Sequence, residues 1–91
     1  MFNYQIKADG TVKTLPNDEL ATLQEAVGGL IQFVPCPFGT CYANEEGLLL
    51  GLPINRVATA MCGQPIVGDI AISCDKAFFD KMAAEAAEKN R

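Results

Sequence analysis

The sequence predicts an α+β domain, a small and mostly antiparallel sheet with two helices packed on one face. Three observations lead there. Short apolar runs rich in β-branched and aromatic residues recur at strand length. Two longer stretches carry apolar residues at helical spacing. Turn residues separate all of them at short intervals. The resulting order is strand, strand, helix, strand, strand, a short helical or irregular segment, strand, helix.

The opening MFNYQIKADGTVKTLP places Phe2, Tyr4 and Ile6 at alternate positions before Asp9-Gly10, with Val12 and Leu15 beyond it. Alternation around Asp-Gly signals a hairpin, because glycine supplies the positive φ such a turn needs. Strands are expected over about 2 to 7 and 11 to 15. In PNDELATLQEAVGG, Asn17 or Asp18 is the expected N-cap, with Glu19 in the first turn and Leu20, Leu23, Ala26 and Val27 on one face. Gly28 and Gly29 end this helix, since the left-handed conformation of a C-terminal cap suits glycine.

LIQFVP is too short for a helix and reads as a strand. CPFGT supplies turn residues, and CYAN pairs back to complete a second hairpin. In NEEGLLLGLPINR, Gly47 permits a tight turn, and Gly51 and Pro53 break up the leucines, so no continuous helix runs through it. Leu48, Leu49, Leu50 and Leu52 are expected to enter the core in part. Asn55 is the expected N-cap of a helical turn, RVATAMC. Ile70 and Ile72 then share one face of a buried last strand, with Ala71 and Ser73 opposite. Asp75 caps a C-terminal helix over about 75 to 89, striped by Phe78, Phe79, Met82, Ala83 and Ala86.

Ninety-one residues without a repeat, low-complexity tract or linker make one domain, 1–91. The formal charge of −4 and a pI near 4.5 give no electrostatic footprint for a nucleic-acid duplex. No apolar run approaches the roughly 20 residues that span a bilayer, and the N-terminus lacks the pattern of an export signal. A cytoplasmic protein that does not engage a membrane is therefore expected. Its cysteines, Cys36, Cys41, Cys62 and Cys74, are then reduced thiols.

The chain has no histidine, which excludes histidine-dependent catalysis within one chain. CPFGTC could form half of a zinc site, but Cys62 and Cys74 are too far apart in sequence to form a second knuckle. Small buried residues beside a turn are the better reading, and no metal or cofactor is expected. Glu45 and Glu46 are adjacent and point to opposite sides of an extended chain. Asp69, in VGDI, reads as a turn residue. A metal-dependent hydrolase or nuclease would need Glu45, Glu46 and Asp69 to converge.

The segments LQEAVGG at 23 to 29, NEEG at 44 to 47, GLPINR at 51 to 56 and IVGDI at 66 to 70 form a pattern. In it the chain resembles a family of small domains of unknown function encoded by tailed phages and by plasmids or conjugative elements of bacteria. The resemblance covers residues 2 to 74, with the insert PCPFGTCY and the alanine-rich C-terminal helix outside the pattern. It implies an accessory protein in the host cytoplasm that acts without turnover. The expected function is a non-enzymatic, homo-oligomeric binding module that counters a host defence system. It would do so by binding a host protein or by sequestering a small nucleotide signal. For a nucleotide, the candidate ligand-binding residues are Asn44, Glu45, Asn55 and Arg56. Arginine would take a phosphate or stack on a base, and the others would read base edges or ribose hydroxyls. The alternatives are the carboxylate hydrolase and a structural or regulatory phage protein with no ligand.

Overall fold

The computed structural model describes residues 2–36 and 39–89. The elements are β1 (Phe2–Ile6), β2 (Val12–Leu15), α1 (Leu20–Val27), β3 (Ile31–Cys36), β4 (Gly39–Asn44), α2 (Arg56–Cys62), β5 (Ile70–Cys74) and α3 (Lys76–Lys89). The five strands form one sheet in the order β2-β1-β5-β4-β3, and every neighbouring pair is antiparallel. The fold is α+β. The turn at positions 37 and 38, and the Met82, Ala83 and Ala86 side chains of the expected helical stripe, lie outside the described residues.

β5 occupies the centre of the sheet and is buried along its whole length. A strand buried on both sides needs a cover on each face, and period-two alternation assigns its residues between two apolar clusters. Ile70, Ile72 and Cys74 join Tyr4, Ile6, Cys41 and Ala43 against Ala58 and Met61 of α2 and Phe79 of α3. The rings of Tyr4 and Phe79 stack, with centroids 3.9 Å apart and planes 11° from parallel. Ala71 joins Tyr42 in a second cluster with Leu23, Ala26 and Val27 of α1. The helices expected at 18–27 and 75–89 thus contribute to different clusters. The helix that shares a cluster with α3 is α2.

The N-cap of α1, expected at Asn17 or Asp18, falls one or two residues later. Glu19 occupies the N-cap with no side-chain capping bond. Asn17 instead accepts the Glu19 N–H at 3.0 Å, closing a turn just before the helix. Leu20, expected on the buried face, is exposed. The glycine stop is as expected: Gly28 adopts φ 79° and donates its N–H to the Gln24 carbonyl.

Candidate functional site

The segments 44–56 and 66–69 meet at the ends of β1 and β5, and the side chains of Asn44, Asn55 and Asp69 turn to backbone partners while those of Glu45, Glu46 and Arg56 stay exposed. Asn55 has no exposed surface. Its Oδ1 accepts the Ala58 N–H at 3.0 Å, which caps α2 as the sequence suggests. Its Nδ2 donates to the carbonyls of Ile6 and Gly68, each at 2.9 Å. One carboxamide therefore ties together α2, the end of β1 and the approach to β5. Backbone bonds from Asn55 N–H to the Ile66 carbonyl and from Gly68 N–H to the Pro53 carbonyl, at 2.8 and 2.7 Å, reinforce the joint.

Asn44, also buried, donates from Nδ2 to the Val27 carbonyl and accepts the Glu46 N–H on Oδ1, at 3.1 and 2.8 Å. Asp69 accepts the Ala8 N–H at 2.8 Å and so fastens the β1–β2 loop to β5. Gly47 and Gly68 allow the chains to approach closely. A Cβ on Gly47 would lie 2.9 Å from Val67 Cγ2, and one on Gly68, where φ is +79°, would lie 2.7 Å from Leu52 Cδ1.

These contacts hold up a turn that closes on itself. Leu50 N–H bonds to the Glu46 carbonyl, Leu52 N–H to the Gly47 carbonyl and Gly51 N–H to the Leu48 carbonyl, at 2.9, 3.1 and 3.2 Å. At its apex Leu48, Leu49 and Leu50 are 84%, 87% and 59% exposed. The expectation that these leucines enter the core is overturned for all three. Three backbone bonds close the turn on itself, and of its four leucines only Leu52 is half-buried, against Gly47 and Gly68.

Beside this turn, residues of α1, β1 and β2 border a further hollow. It is an open groove of about 720 Å³ whose lining includes Lys7, Lys13, Leu15, Glu25, Leu50 and Asp69. Lys7 and Lys13 are the only cationic side chains in the first 55 residues, and both line it. Asp9, in the adjoining hairpin turn, accepts the Thr11 N–H, and this bond holds its carboxyl below the ordinary carboxylate value.

Residues 4–87 match DUF3846, a domain of unknown function. The chain belongs to this family. No curated protein and no solved structure matches it. The DUF3846 match takes in the PCPFGTCY insert and most of the C-terminal helix, both outside the pattern recognised in the sequence.

The four residues singled out for a ligand do not share one surface of this DUF3846 domain. Asn44 and Asn55 are buried and bonded to backbone, whereas Glu45 and Arg56 are exposed. Of the four, Asn44 alone lines the groove. Among the described residues no three His, Cys, Asp or Glu side chains are placed to hold a metal, so Glu45, Glu46 and Asp69 do not form such a group. Cys41 and Cys74 are buried in the core, and Cys62 is half-buried on α2. The Cys36 side chain lies outside the described residues. The groove's lysines and the leucine apex were missed. The lysines had a signal, their isolation in an acidic half of the chain, whereas the leucines looked like ordinary core.

Proposed function

We propose that this DUF3846 protein is a non-enzymatic binding module that engages another protein through Leu48, Leu49 and Leu50. The observation that carries this reading is the exposure of three consecutive leucines on an ordered, hydrogen-bonded turn. Burying a leucine side chain gains about 1.5–3 kcal/mol, so a partner with an apolar pocket draws substantial free energy from three of them. The turn is already ordered, which reduces the entropy lost on docking. Leu50 also lines the groove, so an acidic side chain of the same partner would find Lys7 and Lys13 alongside.

The resemblance to phage and mobile-element domains supports the biological setting. In that setting the protein is an accessory factor in the host cytoplasm that counters a defence system by occupying a host protein. Sequestration of a nucleotide signal is the weaker form of the proposal. It would rest on Glu45 and Arg56 at the surface, because the carboxamides of Asn44 and Asn55 are committed to backbone groups.

The test replaces Leu48, Leu49 and Leu50 together with serine. Bacterial strains that each carry one defence system are challenged with phage while expressing either form. The wild-type chain is expected to restore phage plating on at least one strain, and the serine variant, with its melting temperature unchanged, to restore none. Equal restoration by both forms would remove the leucine turn from the function. No restoration on any strain would remove the anti-defence setting.

A further inference from the structure

The two edges of the sheet are built differently. β2 is exposed and carries Lys13, with Lys7 and Asp9 in the loop that precedes it. Charges on an edge strand discourage pairing with another chain. β3, the opposite edge, lies in a stretch from 28 to 44 that contains no charged residue. Phe33 and Leu30 are 68% and 55% exposed there, and the Phe33 ring tilts against Tyr42.

Hydrogen bonds fix which backbone groups face outward. Glu45 N–H bonds to the Leu30 carbonyl, in register with the β3–β4 pairs that run from Ile31↔Asn44 to Cys36↔Gly39. Alternation in an antiparallel ladder then turns Gln32 and Val34 toward β4, and Ile31, Phe33 and Pro35 toward the open edge. The carbonyl of Pro35 accepts a bond from Gln64 Nε2 at 3.4 Å, consistent with its facing away from β4. Proline has no N–H to offer, so the pairing-competent part of this edge is Ile31 to Phe33.

We propose that β3 pairs antiparallel with β3 of a second copy of this chain, about a two-fold axis at Gln32. That register sets Ile31 opposite Phe33 of the other copy, and each such pair exchanges both of its backbone bonds. Ile31 and Phe33 lie on the same face, so each phenylalanine covers the isoleucine of the other copy. Self-complementarity favours a second copy as the occupant, because the outward N–H and C=O groups of Ile31 and Phe33 meet the same groups of another β3 across a two-fold axis. Two chains of charge −4 repel, and contact costs least where neither presents a charge. This pairing uses no residue of the leucine turn, so variants at Phe33 test the dimer and variants at Leu48, Leu49 and Leu50 test the proposed function. One short strand pair with its flanking apolar side chains is a small interface, so association is expected in the micromolar range.

Sedimentation of the whole protein over a concentration series tests this, together with amide exchange followed by NMR. The wild-type chain is expected to form dimers in which the Ile31 and Phe33 amides are protected, with protection lost on dilution. Phe33→Lys places like charges across the axis, and Phe33→Pro removes an outward N–H that the β3–β4 ladder does not use. Both are expected to be monomeric throughout, and the lysine variant, at an exposed site, keeps the fold should the proline one lose it. A wild-type chain that stays monomeric overturns the proposal. So does a dimer that survives Phe33→Lys, or one whose Ile31 and Phe33 amides exchange freely.

Discussion

Asn55 is fully buried, whereas Leu49, a few residues earlier in the same segment, leaves 87% of its surface to solvent. Around Asn55 the polar groups of Asn44 and Asp69 also turn inward to backbone partners, while around Leu49 its two leucine neighbours turn outward. The two halves of the corner thus invert the usual partition of polar and apolar side chains. A buried amide is tolerated because its bonds are satisfied, and it stabilises the fold that satisfies them. An exposed leucine gains nothing from the fold. The polar residues of the corner are therefore its architecture, and the apolar ones are where a function is to be sought.

Truncation at Asn55 breaks the comparison most severely. Asn55→Ala leaves the Ile6 and Gly68 carbonyls and the Ala58 N–H without their partner in a buried site. Each unmet group costs about 1–3 kcal/mol, so with three of them a loss of at least about 3 kcal/mol is expected in urea unfolding. A small domain has about 5–15 kcal/mol in total. Asn55→Asp keeps the capping acceptor but turns an oxygen toward two carbonyls, and is expected to be no better. A loss under about 1 kcal/mol for alanine would show that Asn55 is no more than a cap.

The next effects come from close packing beneath the turn. Gly68→Ala forces a side chain into positive φ and against Leu52, and is expected to cost about 1–3 kcal/mol. Leu52→Ala, at a half-buried site, is expected to cost about 1–2 kcal/mol, below the range for full burial. Leu49→Ala, three residues away in the same run, is expected to change stability by less than about 0.5 kcal/mol. Chemical denaturation of these two leucine variants side by side sharpens the contrast. Equal losses would mean that the apex packs against the domain.

Some of this corner was legible in the sequence. A polar residue before RVATAMC marks a helix start, because the cap acts within one turn of chain. The other two bonds of Asn55 reach Ile6 and Gly68, which come near only once β1 and β5 pair, so no local pattern announces them. The leucines misled for a related reason. Local apolar character argues for burial, but the chain closes a turn on itself there and leaves Leu48, Leu49 and Leu50 exposed. The strands and the glycine stop of α1 were readable from period and φ preference. Which helices share an apolar cluster was less so, because β5 alternates between two apolar sets.

Glu45 provides the smallest effect and the finest cut between the two halves of the corner. Its N–H belongs to the architecture, bonding the Leu30 carbonyl at 2.9 Å, while its side chain is exposed. Glu45→Gln preserves that backbone bond and nearly all of the side chain's shape, removing only the charge. Stability is expected to stay within about 0.5 kcal/mol of wild type, the usual range for surface substitutions. Capture of a protein partner through the leucines is expected to be unchanged as well, since burial of apolar surface does not depend on that charge. A ligand that used the Glu45 carboxylate to accept ribose hydroxyls would instead lose affinity with melting temperature intact. Measuring both quantities on this one variant therefore separates docking through the leucines from recognition by the polar side chain beside them.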